Sequence, residues 1–520
     1  QDNISNPNYF TGGRGVIDTP TGYVISGATH VSSSNSDQFL VEKSHDDQVI
    51  FQTKFGEKAF AYGPTEQAED LVMHNNHIYT VGSSRYSDTG YDVVVSRYDY
   101  VTKVLEDARS FTFSNTSNDF GNAIDVIVKD GQSFLLVGGS TNVQDTDGDM
   151  LAMLINPISL QLDSYRLYDN NSRRDDCKDV VVLSTGEAVL VGQSATKATA
   201  IKIESNLDLI SSEQFTFNQG RTWINSIIES NGRLYMVGAM NSNPDNDVLL
   251  IRSNLNLDIT FNEFTTWSSF YNDTSTDEEA LEISRHPSGR LFMVGKVTRG
   301  SDEDGFAAFL GADLSIQWVK KVNEPSNSVL HSLTFSDDNE GTYMVATGKI
   351  DMDINDQDLF IVKWRTNEDI CCLEEYKMRS RAFNIATQPH MDEQFRSKHN
   401  KSEVRIEDTN YPCVSLCEVG LISLRSATEI YGGQEEHGLS INPNPNNGHF
   451  ELQLNSETNS LIEVSVLDAS GKLINSRKFS EDQDITSDNF NYLHLRSGFY
   501  VVKVTLDNGD VLTSRIVVQK

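Results

Sequence analysis

The sequence predicts an all-β chain: a seven-bladed β-propeller, then a short cysteine-containing connector, then a C-terminal β-sandwich. Three observations predict it. An apolar run ending in glycine recurs seven times, at Gly27, Gly82, Gly138, Gly192, Gly238, Gly295 and Gly348, with spacings of 46 to 57 residues. Around each glycine the text alternates short strands with tight turns. After residue 365 the period stops, four cysteines cluster, and a second strand-and-turn pattern runs to the end.

Within a unit the order is constant. A short strand such as Ala123–Val128 comes first and is closed by a hairpin turn, as at Lys129-Asp130-Gly131, Ser230-Asn231-Gly232 or Pro287-Ser288-Gly289. The glycine-ended strand follows. An Asp then opens a third strand, at Asp37, Asp92, Asp149, Asp247, Asp304 and Asp358, with Thr199 standing in the fourth unit. A fourth strand carries aromatics such as Phe111 and Phe113 or Tyr165 and Tyr168. Four antiparallel strands repeated about an axis leave only short sheet edges, which is how a propeller avoids edge pairing with other chains. The seventh unit lacks its fourth strand, whereas Pro7–Gly12 precedes the first unit with nothing to pair with. The N-terminal segment is therefore expected to close the last blade. The propeller takes residues 1–365, the connector 366–428, a linker 429–438 and the terminal domain 439–520.

Composition excludes several functions. Lys and Arg number 42 against 75 Asp and Glu, a formal charge of −33, so the chain repels a phosphate backbone and nucleic acid is not an expected partner. About −25 of that charge falls on residues 1–365, by count of the sequence. At 38% hydrophobic residues the chain can bury a core. No apolar run approaches the ~20 residues of a membrane-spanning helix. The chain starts at Gln1, which is what removal of a secretory signal peptide would leave. Cys371, Cys372, Cys413 and Cys417 read as two disulfides formed in an oxidising compartment or as one zinc site; the adjacent Cys371-Cys372 pair fits zinc-ribbon spacing poorly and favours disulfides. Cys177 reads as an inert core thiol. In the connector, Glu374–Lys377 is helical by propensity.

The terminal domain carries three blocks. Pro443-Asn444-Pro445 leads to Gly448 and Phe450; Asp468 leads to Gly471-Lys472; and Gly498, Tyr500 and Lys503 occupy a strand ahead of the terminal Lys520. In plain structural terms the prolines fix an extended approach, the glycines permit turns, and Tyr500 packs a sheet face. In this order at a chain terminus, the segment resembles the type A C-terminal sorting domain of the type IX secretion system of Bacteroidetes. That resemblance covers residues 439–520. It implies periplasmic transit, passage through the outer-membrane translocon, binding by an outer-membrane shuttle protein, and removal of the domain by a surface sortase, leaving the passenger at the cell surface or released.

Chemistry in residues 1–365 is less specific. Acidic loops precede the recurring Asp, and Asp351, Asp353, Asn355 and Asp358 offer the alternating oxygens that Ca²⁺ favours, although no distal Glu completes an EF-hand. Turn fixation by the same carboxylates is the plainer reading. Trp223, Trp267, Phe270 and Tyr271 fall in the inter-blade loops and are expected either to form a ligand face for a glycan or protein, or to fill wedges between blades. No G-x-S-x-G, H-E-x-x-H or P-loop is present, so no catalytic residue is assigned. The expectation is a secreted, surface-delivered binding or adhesion module for a glycan or surface protein, with an extracellular polysaccharide-cleaving hydrolase or lyase as the alternative.

Overall fold

The structure is a computed structural model. It describes the strands and most of their connections from Tyr9 to Arg365, short strands between Leu373 and Ile422, and strands between Gly438 and Val518. The described residues form strands and turns without a helix. Two compact units emerge, residues 1–427 and 428–520.

In the first unit the repeat becomes antiparallel meanders. Units two to six each give four strands in sequence order, starting from Thr65–His74, Asp119–Lys129, Asp175–Val182, Thr222–Ser230 and Thr276–Arg285. The first unit starts with Tyr9–Thr19, and the last contributes Ser328–Asp338, Gly341–Asp353 and Asp356–Trp364. The hairpin turns form as their residues require: Asn231 and Gly232 both hold positive φ, at 53° and 70°, the geometry that matches the twist of the flanking strands.

Apolar residues fill the spaces between successive units. Val81, Val93 and Phe111 pack on Leu135, Val137 and Leu151; Leu136 and Leu154 pack on Leu190 and Ile201. The series continues round until Tyr343, Val345 and Ile361 of the last unit meet Val16, Ile25 and Phe39 of the first. The chain's two ends of the repeat are thus joined by a core of the same kind as every other junction, at roughly 25 cal/mol per Å² of apolar surface removed from water.

The connector does not form the helix that propensity suggests around Glu374. It runs backwards around the rim and adds an outer strand to one unit after another. Leu373–Glu375 pairs with Ile316–Val322, Met378–Ala382 with Phe264–Ser269, Ala386–Gln388 with Leu209–Thr216, and Asp392–Gln394 with Leu162–Asp169. Asn400–Glu403 then joins Val104–Phe111, Ile406–Glu407 joins Val49–Phe55, and Leu421–Ile422 joins Asp356–Trp364. Unpaired N–H and C=O groups on those edges outweigh a propensity difference of a few tenths of a kcal/mol per residue. Beside Asp356–Trp364 lies also the N-terminal segment, with Tyr9 and Phe10 paired in parallel to Asp356 and Gln357; residues 1–8 lie outside the described residues.

The second unit has two antiparallel sheets, one of three strands and one of four. Phe450, Leu452 and Phe490 of the first share a buried cluster with Val464, Val466, Val502, Val504 and Val518 of the second.

Candidate functional site

The recurring glycine has a local cause. In every unit the first strand carries a bulge, one residue that its partner strand skips. The bulge swings a carbonyl toward the second strand. A Cβ on Gly82 would lie 1.8 Å from the Gln67 carbonyl oxygen, and one on Gly238 would lie 2.1 Å from that of Trp223. Only glycine tolerates that approach. In the third unit the glycine facing the bulge is Gly139, whose Cβ would meet the Phe120 oxygen at 1.8 Å, rather than Gly138 of the sequence alignment.

The skipped residues are Arg14, Glu69, Asn122, Lys178, Asn225, Leu281 and His331, and all of them line one central cavity of about 800 Å³. The cavity is therefore built by one structural device repeated with different side chains. Gln193, Arg221, Trp223 and Glu279 line the same cavity. Trp223 Nε1 donates to Glu279 Oε1 at 2.7 Å, and Asn225 Nδ2 donates to the same oxygen at 2.8 Å, so the indole plane is pinned at one edge. Arg221 Nη2 donates to Gln193 Oε1 at 2.8 Å and its guanidinium sits 5.5 Å from the Trp223 ring centroid. Lys178 pairs with Asp176 at 2.7 Å.

Behind the bulged residues sit buried acceptors that tie several of the units to the next. Asp70 takes the N–H of Leu71 at 2.7 Å and of Ile124, in the following unit, at 2.9 Å. Asp179 does the same with Val180 and Ile227, and Asp125 with Val126 and Val182. Ser332 Oγ accepts from Val16 N at 3.1 Å. Burial, with the nearby charge of Asp179, pushes the Asp70 carboxyl up to about 8; burial pushes Asp179 up to about 6. Burial also holds Glu282 well above the usual carboxylate range, Asp70 and Asp179 adding to it, and keeps His331 neutral by lowering it well below the ordinary imidazole value. At neutral pH the inner wall therefore carries less negative charge than its carboxylates suggest.

Of the expected ligand-face aromatics, Trp223 lines the cavity. Trp267 does not: it is 0% exposed, packed with Val248, Ile283 and Phe306 between two units, and it fills a wedge instead of facing a ligand. Phe270 and Tyr271 lie outside the described residues. The backbones of Asp351, Asp353 and Asp358 belong to a hairpin in which Asp351 pairs with Gln357 and Asp353 with Asp356; their side chains and residues 354–355 lie outside the described residues, as do Cys371, Cys372, Cys413 and Cys417. Cys177 is fully buried, and its thiol is pushed far up by that burial, as expected for an unreactive core residue. Arg221, Gln193 and Glu279 were not singled out from the sequence. They come from different places in their units, Gln193 from a second strand, Arg221 from the residue ahead of a first strand and Glu279 from a first strand, so no repeat marks them.

In the second unit, Phe450 is fully buried and stacks on Phe490 at 5.5 Å, and Tyr500 packs against the same cluster. Asp468 pairs with Tyr500, and Gly498 with Val518, in the ladder. Lys503 is exposed. Pro443, Asn444, Pro445, Gly448, Gly471, Lys472 and Lys520 lie outside the described residues. Residues 440–519 match the family described as "Secretion system C-terminal sorting domain". This segment is a type IX sorting domain. The sorting domain implies secretion to the cell surface in Bacteroidetes and interaction with the type IX machinery. Among the described residues, no helix is long and apolar enough to cross a membrane.

No curated protein matches the chain. Among solved structures it is similar to a protein titled "Glycoside hydrolase", at 8% identity and a TM-score of 0.30, over 86% of this chain and 94% of that one. It is similar to an exo-beta-1,3-galactanase from Clostridium thermocellum, at 12% identity and a TM-score of 0.32, over 81% and 94%. A third is a family 43 beta-1,3-galactosidase, at 8% identity and a TM-score of 0.28, over 88% and 94%. Overlaps of this size decide neither blade number nor activity.

Proposed function

We propose that the chain is a surface-exported binding protein: a seven-bladed propeller, residues 1–365, that holds a glycan or surface-protein ligand in its central cavity. The connector 366–428 acts as a belt stapled by disulfides among Cys371, Cys372, Cys413 and Cys417. The linker 429–438 and the sandwich 439–520 address the protein to the shuttle and sortase of the export pathway. One observation carries the binding reading: a bulged residue from each unit's first strand lines the same polar cavity, together with the pinned plane of Trp223. Sites of that size, with a few placed polar groups and an aromatic face, suit a hydrophilic ring such as a sugar. Supporting the blade count are the ladder order and the apolar cluster between the last unit and the first. Supporting closure from both ends are the pairings of Tyr9–Phe10 and Leu421–Ile422 with the last unit.

A glycan array probed with the purified protein and with Trp223→Ala tests this. Wild-type capture of a glycan that the variant loses supports the cavity; capture retained at wild-type strength by Trp223→Ala removes it. A second reading, polysaccharide cleavage, is favoured by two carboxyls on the same cavity, Asp70, which burial keeps proton-bearing near neutral pH, and Asp179, which at about 6 is largely ionised there. Release of reducing ends from captured glycans would establish it, and intact glycans after prolonged incubation would exclude it.

A further inference from the structure

The cavity wall is not uniform in how its charges are answered. Arg14 has Glu69 at 4.0 Å, and Arg174 and Lys178 share Asp176 at 3.9 and 2.7 Å. Arg221 has no carboxylate within 4.0 Å among the described residues; its hydrogen-bond partner is the neutral amide of Gln193. Because a guanidinium only donates, that contact fixes the amide: Oε1 faces Arg221, and Nε2 faces elsewhere. Gln193 is 8% exposed and its Nε2 is buried with no hydrogen-bond partner. Nε2 is closed off from the cavity, so the part the amide plays there is to hold the Arg221 guanidinium through Oε1. The Trp223 plane next to them is held by Glu279 rather than free to turn.

We propose that Arg221 and Trp223 form a subsite for an acidic pyranose, in which the guanidinium, held in place by Gln193, takes the sugar's carboxylate while its apolar C–H face lies on the indole. The assignment deepens the glycan-binding reading and rests on it. The chain's net charge of −33 opposes any anion at long range. Locally the balance differs, because burial leaves Asp70 and Glu282 with their protons, so the wall sets Arg14, Arg174, Lys178 and Arg221 against Glu69, Asp176, Asp179 and Glu279 and comes close to neutral. A carboxylate arriving at Arg221 meets the lining cation that has no carboxylate partner among the described residues. A sulfate ester presents the same anionic chemistry, and the planar fork of the guanidinium matches a planar carboxylate bidentately.

The test uses the full chain and calorimetric titration with four oligosaccharide probes: a uronate, its methyl ester, a sulfated galactan and a neutral galactan. The expected order is uronate tightest, with the methyl ester roughly 10- to 100-fold weaker, the range for one charge-assisted contact. Arg221→Gln should erase that difference and Gln193→Glu should abolish uronate binding, whereas Arg221→Lys keeps part of it. Arg221 is exposed, so its variants should retain the wild-type melting temperature. Sulfated galactan bound more tightly than uronate, or Arg221→Gln binding uronate at wild-type strength, would overturn the subsite. Neutral galactan bound equally well, and lost in Trp223→Ala, would overturn the subsite but leave the glycan reading standing. Binding of none of the probes would remove both.

Discussion

Replacing Gly82 by alanine puts the bulge to the test most sharply. The added methyl would stand 1.8 Å from Gln67 O, 2.8 Å from Gln67 C and 2.9 Å from Ala68 Cα. All three atoms are backbone, so no rotamer change relieves the clash. Either the two strands separate or the bulge at Glu69 flattens, and flattening shifts Asp70 off the N–H groups of Leu71 and Ile124. Overpacking costs about 1–3 kcal/mol and losing a buried acceptor about 1–3 more, so a destabilisation of about 2–6 kcal/mol is expected. Gly131→Ala supplies the comparison. Its site has φ of 77° and nothing within 4 Å of an added Cβ, leaving only left-handed strain of about 1 kcal/mol. Thermal unfolding followed by circular dichroism reads both. At about 2 °C per kcal/mol for a chain of this size, Gly82→Ala should melt about 4–12 °C low and Gly131→Ala about 2 °C low. Equal shifts, or a Gly82→Ala protein that melts like wild type, would refute the reasoning.

Further expectations follow from the same geometry. Asp70 holds its proton to about 8 in the fold against 3.8 for an unburied carboxyl, so the folded form keeps a proton that the unfolded chain has lost. Its stabilising contribution is therefore full below about pH 4 and lost as pH rises to about 8; Asp70→Asn, which has no proton to lose, should show a flatter fall in melting temperature over that window, and parallel slopes would reject this. A chain ending at residue 365 leaves the outer strands of the units uncovered and should both melt lower and self-associate by light scattering; an unchanged, monodisperse protein would show that the belt contributes nothing. Removing residues 440–519 should leave the protein in the periplasm on cell fractionation, and surface display without them would contradict the role of the sorting domain.

The repeat was legible in the sequence because its glycines answer a steric demand that recurs in every unit. The bulges behind them were not legible, since a bulge is defined by which partner residue is skipped, and the skipped residues range from Arg14 to Leu281 with no common type. The belt was hidden for a different reason. Strands of two to five residues such as Ile406–Glu407 are too short for alternation to show, and pairing edges supplied from distant units decide their conformation. Trp223 and Trp267 looked alike as loop aromatics, yet both lie in strands, Trp223 in the first strand of its unit, lining the cavity, and Trp267 in the fourth, filling a wedge. The sorting domain was the most legible part, because its proline, glycine and aromatic positions occur together in a fixed order.

Leu281→Trp tests most directly the claim that the central cavity is the ligand site. Leu281 is a bulged residue that lines the cavity. A tryptophan there adds bulk to the cavity and should leave the unit-to-unit bonds of Asp70, Asp125, Asp179 and Ser332 in place. Titrated with a glycan that wild type captures, the variant should show no binding while keeping the wild-type melting temperature. Binding at the wild-type dissociation constant would contradict the account and send the ligand elsewhere on the surface.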